Sequence, residues 1–93
     1  MGKMRKRDRL EVIYDFLKII RESNNSIKPT PLLRKSNLSS QSFAEYFKEM
    51  LSKELIKEAQ DKKRRKYITL TDKGFKYLEK YKYILGFIGE FEL

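Results

Sequence analysis

Five consecutive cations, Lys62-Lys63-Arg64-Arg65-Lys66, stand immediately before the segment YITLT. Such a run is ordinarily a solvated loop or a disordered tail, yet here it sits inside a strand pattern. After it, Tyr67 and Thr69 alternate with Ile68 and Leu70; before it, LIKEAQ from Leu55 alternates in the same way. Period-two alternation is the mark of a strand with one buried face. Two such strands separated by DKKRR predict an antiparallel hairpin that carries the cationic run at its tip.

The same run explains much of the charge. The net charge is +9, and Lys3, Arg5, Lys6 and Arg7 together with residues 62–66 supply nine cations. The remaining 13 basic residues equal the 13 acidic ones. The body of the chain is therefore neutral and bears two dense basic patches, a distribution that suits a polyanionic partner better than it suits general solubility.

At 93 residues the chain has the size of one domain, burying roughly 60–65% of its unfolded surface. A hydrophobic content of 40% supports a core, which argues against wholesale disorder. There is no cysteine and no histidine. Disulfides, thiolate or imidazole metal sites and Cys/His or Ser/His nucleophile pairs are thereby excluded. No paired carboxylates or glycine-rich phosphate loop stand out, so neither an enzyme nor a cofactor or metal site is expected. No apolar run approaches the ~20 residues of a membrane span, and MGKMRKRDRL lacks the apolar segment of a signal peptide. Lys6 stands where a myristoylation signal needs Ser or Thr. A cytoplasmic protein, associated with the nucleoid, is the expectation, with no membrane partner.

Helices fill the rest. From Asp8 as N-cap, Leu10, Ile13, Tyr14, Leu17 and Ile19 or Ile20 form an amphipathic stripe, and Glu11 completes a capping pattern. Thr30 as N-cap with Pro31 at the first helical position predicts a short second helix to about Lys35, ending near Asn37. Ser39 caps a third helix whose expected buried face is Phe43, Tyr46, Phe47, Met50 and Leu51, with Leu38 plugging the turn. Thr71 caps a last helix, with Asp72 in its first turn. Two helices joined by a short turn are a helix-turn-helix candidate. Followed by a hairpin, they read as a winged helix: mainly α with a small β-hairpin.

The segments RLEVIYDFL, NLSSQSFAEYFKEMLSKELI and YITLTDKGFKYLE resemble the small archaeal winged-helix DNA-binding proteins and predicted transcriptional regulators. The most specific parts are the NLS turn, the spacing of Tyr46, Leu51 and Leu55-Ile56, and LT-x-KG after the hairpin. Family members often carry glycine before LI, where this chain has Glu54. The resemblance covers residues 8 to about 80. It implies duplex DNA as partner, transcriptional regulation, and dimerisation through a C-terminal helix, in some members as an antiparallel coiled coil. The expected organisation is a basic arm at 1–7, a winged-helix domain at 8–70 and a dimerisation helix at 71–93.

The candidate sites follow. On the third helix, Ser39, Ser40, Gln41, Ala44, Glu45 and Lys48 face outward; Gln41 could bond an adenine edge and Glu45 a cytosine amine, while both serines could meet phosphate or base. On the wing, Lys62, Lys63, Arg64, Arg65 and Lys66 would lie against the backbone. Arg34 and Lys35 are further phosphate contacts. Lys3, Arg5, Lys6 and Arg7 are either a DNA-contacting arm or a solvated leader. In the last helix, Phe75, Leu78, Tyr81, Leu85 and Ile88 make one stripe and Tyr77, Ile84, Phe87 and Phe91 another. Packing on one domain needs one stripe, so either a second copy covers the other or it folds back on the first helix. The expected homodimer interface is Tyr77, Tyr81, Ile84, Leu85, Phe87, Ile88 and Phe91. Gly86 and Gly89 either end the helix or permit close helix contact. An architectural chromatin protein, an RNA- or ribosome-associated protein and a protein-interaction adaptor remain the alternative functions, and an effector ligand is an open question.

Overall fold

The computed structural model describes residues 8–93, which form four helices and a two-stranded sheet in the order α1 (Arg9–Glu22), α2 (Pro29–Ser36), α3 (Ser40–Ser52), β1 (Ile56–Gln60), β2 (Lys66–Leu70) and α4 (Asp72–Glu90). The basic segment 1–7 lies outside the described residues.

Helix α1 starts where the sequence supplies its cap: Asp8 Oδ1 accepts from the Glu11 amide at 2.8 Å. Val12, Ile13, Tyr14, Phe16, Leu17 and Ile20 are buried. Burial thus reaches beyond the single expected stripe, because α2, β2 and α4 all pack against α1. Leu10, expected in the stripe, is exposed instead, since the first turn of α1 stands at the edge of this packing.

The polar run SNNS does more than end α1. Asn24 and Asn25 take left-handed backbone angles, and the Asn25 amide closes back on the Ile20 carbonyl at 3.0 Å. Asn tolerates this conformation better than most residues. Asn25 Oδ1 then accepts from the Leu70 amide at 2.7 Å. Two residues later, Ile27 and Ile68 exchange backbone hydrogen bonds of 3.2 and 2.8 Å. β2 is consequently flanked on its far side by a one-residue bridge that no alternation in the sequence announces.

That bridge also moves α2. The helix begins at Pro29, not Pro31, with Lys28 as an extended N-cap and Thr30 inside the helix. Proline disfavours helical geometry in the residue before it, so Lys28 is held extended and Pro29 takes the first helical position. The helix ends at left-handed Asn37. Leu38 packs against the core from the turn, as expected.

In α3, Ser39 Oγ accepts from the Ser42 amide at 3.1 Å. Of the five residues expected on its buried face, only Met50 is fully enclosed; Phe43, Tyr46, Phe47 and Leu51 are half-buried against the core. The helix lies at the rim, with Phe43 stacking between Phe16 and Phe47 at centroid distances of 5.3 and 5.7 Å. At its end Glu54 N donates to Leu51 O and Leu55 N to Met50 O, at 3.0 and 2.9 Å. This is a Schellman closure. Glu54 has φ 60°, so a non-glycine residue adopts the conformation that glycine ordinarily supplies.

The strands pair antiparallel with Ile56 opposite Leu70 and Gln60 opposite Lys66. The strand expected from Leu55 starts one residue later, because Leu55 is still engaged in the α3 closure. The LT-x-KG motif acquires a physical reason here. Thr71 Oγ1 accepts from the Gly74 amide at 3.1 Å and donates to the Glu54 carbonyl at 2.6 Å. Any Cβ on Gly74 would collide with the Leu55 carbonyl oxygen. Gly74 therefore lets the start of α4 seat directly on the end of α3.

Leu78 and Tyr81 of α4 belong to the same core as α1, so the core extends past residue 70. Gly86 and Gly89 do not end α4, which runs through both to Glu90. Every residue after Tyr81 is exposed. Among the described residues no helix is long and apolar enough to cross a membrane.

Candidate nucleic-acid interface

Ser40, Gln41, Ala44, Glu45 and Lys48 of α3 are all exposed. Their spacing puts Gln41, Ala44, Glu45 and Lys48 on one side of the helix, opposite Phe43, Phe47 and Met50. Ser39 is exposed as well, but its oxygen is already engaged in the cap. This outward face is short, polar and only weakly charged. Beneath it, Glu49 pairs with Arg9 of α1 and with Lys53 at 3.5 Å, which locks α3 to the start of α1. The Lys53 pair is a local i,i+4 contact, whereas the pair with Arg9 joins distant segments and no sequence spacing reveals it.

The wing carries the charge. Lys62, Lys63, Arg64, Arg65 and Lys66 are all exposed at the hairpin tip. The loop is nevertheless ordered by local bonds. Arg64 N donates to Asp61 O at 3.0 Å, and Asp61 N to Arg65 O at 3.1 Å. Arg64 has φ 64°. A turn followed by a left-handed residue is a common way to close a three-residue hairpin loop, and glycine is its usual occupant. Arginine there costs roughly 1 kcal/mol of backbone strain.

One carboxylate holds the tip together. Asp61 Oδ1 accepts from the amides of Lys63 and Arg65 at 2.8 and 2.9 Å. Asp61 Oδ2 accepts from Arg65 Nε at 2.8 Å and from the Tyr67 hydroxyl at 3.3 Å. The Arg65 amide above all, with its guanidinium and the Lys63 amide, holds the Asp61 carboxyl down at about 2. Sequence reasoning missed this role; the signal was Asp at the first position of a turn, where its side chain bonds amides two to four residues on.

The other expected contacts fall in different places. Arg34 is exposed in the last turn of α2. Lys35 lines an open cleft of about 280 Å³ with Asp15, Lys18, Glu22 and Asn37, so acidic side chains of α1 share its surroundings. Lys3, Arg5, Lys6 and Arg7 lie outside the described residues.

The helix α4 has two regimes. Tyr81, expected at a dimer interface, is only 8% exposed within its own chain, packed on Tyr14 at 4.8 Å. Tyr77 is half-buried and donates to the Leu10 carbonyl at 2.8 Å; burial pushes its phenol up to about 12. Both serve the fold of the chain itself because α1 lies against this half of α4. Beyond them Ile84, Leu85, Phe87, Ile88 and Phe91 are exposed, Phe87 to 56%, and Tyr83 and Leu93 join them. Next to this surface, Leu10, Tyr77, Lys80, Tyr81 and Ile84 line an apolar cleft of about 160 Å³.

Three helices, a hairpin and a long closing helix in this order define a winged-helix protein. The chain belongs to the winged helix-turn-helix family, whose model matches residues 6–87. Among solved structures it is similar to F93 from STIV, a winged-helix DNA-binding protein, at 17% identity and a TM-score of 0.71 over 86% of this chain and 91% of that one. It is also similar to Sso10a-2, a DNA-binding protein from Sulfolobus solfataricus, at 14% identity and a TM-score of 0.74 over 92% of this chain and 86% of that one. At these identities the likeness concerns the fold. No curated protein matches the sequence.

Proposed function

We propose that the protein binds double-stranded DNA as a homodimer and acts as a transcriptional regulator. The observation that carries this reading is the wing: a cationic loop closed by local hydrogen bonds and exposed to solvent. A preordered cationic tip suits the phosphate backbone, while the exposed side of α3 suits the major groove. The DNA-binding descriptions of both structural neighbours support the same partner. Most of the affinity then comes from backbone neutralisation, and Gln41 and Glu45 contribute a modest base preference. The exposed apolar half of α4 supports a second copy as its cover, since a surface this apolar is seldom left in water.

Titration onto a fluorescent 30-base-pair duplex at several salt concentrations tests the reading, with duplex RNA of the same sequence alongside. Binding that weakens steeply with salt and favours DNA supports it. Equal preference for A-form RNA, whose deep major groove excludes a helix, points to an RNA-associated protein instead. No binding at low salt leaves an adaptor role.

A further inference from the structure

We infer that Asp61 is the positioning residue of the wing: its carboxylate selects which cations of the run face a phosphate backbone, withholding Arg65 and displaying Lys62, Lys63, Arg64 and Lys66. This inference rests on the DNA-binding reading above and sharpens how the wing achieves it.

A carboxylate at the base of five cations is at first sight counterproductive, since it subtracts one charge from a surface meant for a polyanion. Its contacts explain its presence. Each oxygen takes two donors, and three of the four come from residues 63 and 65, inside the cationic run itself. The loop is thereby closed although its neighbouring cations repel one another. Tyr67 ties the same carboxylate to the start of β2. Arg65 is paired to Asp61 through Nε, with its side chain still half exposed, so one edge of its guanidinium is already engaged. Among the described residues, the side chains of Lys62, Lys63, Arg64 and Lys66 have no hydrogen-bond or ion-pair partner. Arg64 occupies the left-handed position that glycine would fill with less strain, so the turn sets a charge at its apex at a cost to the hairpin. The carboxylate stays ionised through the neutral and mildly acidic range, because its pKa lies at about 2.

Charge counting and positioning predict opposite signs, which makes the inference testable in the intact protein. Asp61→Asn removes one negative charge. Simple electrostatics then expects tighter binding. Positioning expects binding to 30-base-pair DNA to weaken roughly three- to tenfold, the scale of re-ordering a few side chains on binding. It also expects a steeper salt dependence, by up to about 0.9 in the logarithmic slope, because Arg65 is released to the phosphates. A merely destabilised fold lowers affinity without steepening the slope. Glu58→Gln, on the exposed strand β1, makes the same charge change away from the tip and serves as the control, with affinity unchanged or slightly higher. Weaker binding and a steeper slope for Asp61→Asn alone support the inference. Binding by Asp61→Asn as tight as or tighter than that of the unaltered protein overturns it while leaving the DNA reading intact. Failure of the unaltered protein to bind overturns both.

Discussion

The tip of the wing and the far half of α4 are both surfaces that the domain leaves in water, and they are left there for opposite reasons. The wing is exposed because it is charged, and it is complete in itself: Asp61 satisfies its amides and its closest cation within one loop. The end of α4 is exposed although it is apolar, with Ile84, Phe87 and Phe91 all facing solvent. Among the described residues, only Ile84 at its near end shares a cleft with α1, through Leu10. A self-sufficient polar loop can meet a ligand without changing shape, whereas an exposed apolar helix face is the kind of surface that marks an interaction site. DNA affinity and assembly should therefore be separable by mutation.

The sharpest contrast lies between two glycines of α4. Gly74→Ala forces a methyl group into the Leu55 carbonyl, and a loss of about 2–3 kcal/mol in chemical denaturation is expected. Gly86→Ala meets nothing within 4 Å and should instead gain about 0.5–1 kcal/mol from helix propensity. A similar loss at both positions would mean that the two halves of α4 are not distinct.

Next, on the homodimer proposed above, Phe87→Lys should shift the protein toward monomer in sedimentation velocity, with the circular dichroism of the domain retained. Loss of the folded signal along with assembly would show the apolar end to be part of the fold. Conversely, replacing Lys62, Lys63 and Arg64 by Ala should leave the sedimentation behaviour unchanged. It should weaken binding to all duplex sequences alike and reduce the salt slope by about 2.7, near 0.9 for each lost phosphate contact. An unchanged slope would remove the wing from DNA.

Two left-handed residues refine the picture further. Glu54→Gly and Arg64→Gly should each relieve up to about 1 kcal/mol of backbone strain, read as a higher midpoint in denaturant. Only Arg64→Gly should also weaken DNA binding. The smallest effect concerns acid. The folded pKa of Asp61 is depressed, so its contribution to the wing is present above the ordinary carboxylate value near 4. It is lost as pH falls from there toward about 2. Amide signals of Lys63 and Arg65 should report loop opening only in that window.

Much of this was legible in the linear sequence because it depends on neighbours in the chain. Asp8, Ser39 and Thr71 cap the helices that follow them. The alternation from Lys66 to Leu70 makes the strand, and an exposed cationic tip follows from five charges that no core can hold. Side-chain hydrogen bonds over three residues and period-two burial are local physics. The start of α2 lies at Pro29, where proline holds Lys28 extended although Lys28 offers no side-chain cap, directly after the Ile27–Ile68 pairing that joins residues 41 apart. Likewise, apolar spacing placed Tyr81 and Phe87 on α4 together, but only the packed position of α1 buries the first and leaves the second in water. Gly74 and Glu54 were visible as letters. That one must be small, and the other left-handed, follows only from the meeting of α3 and α4, where the chain returns on itself and backbone atoms compete for the same space.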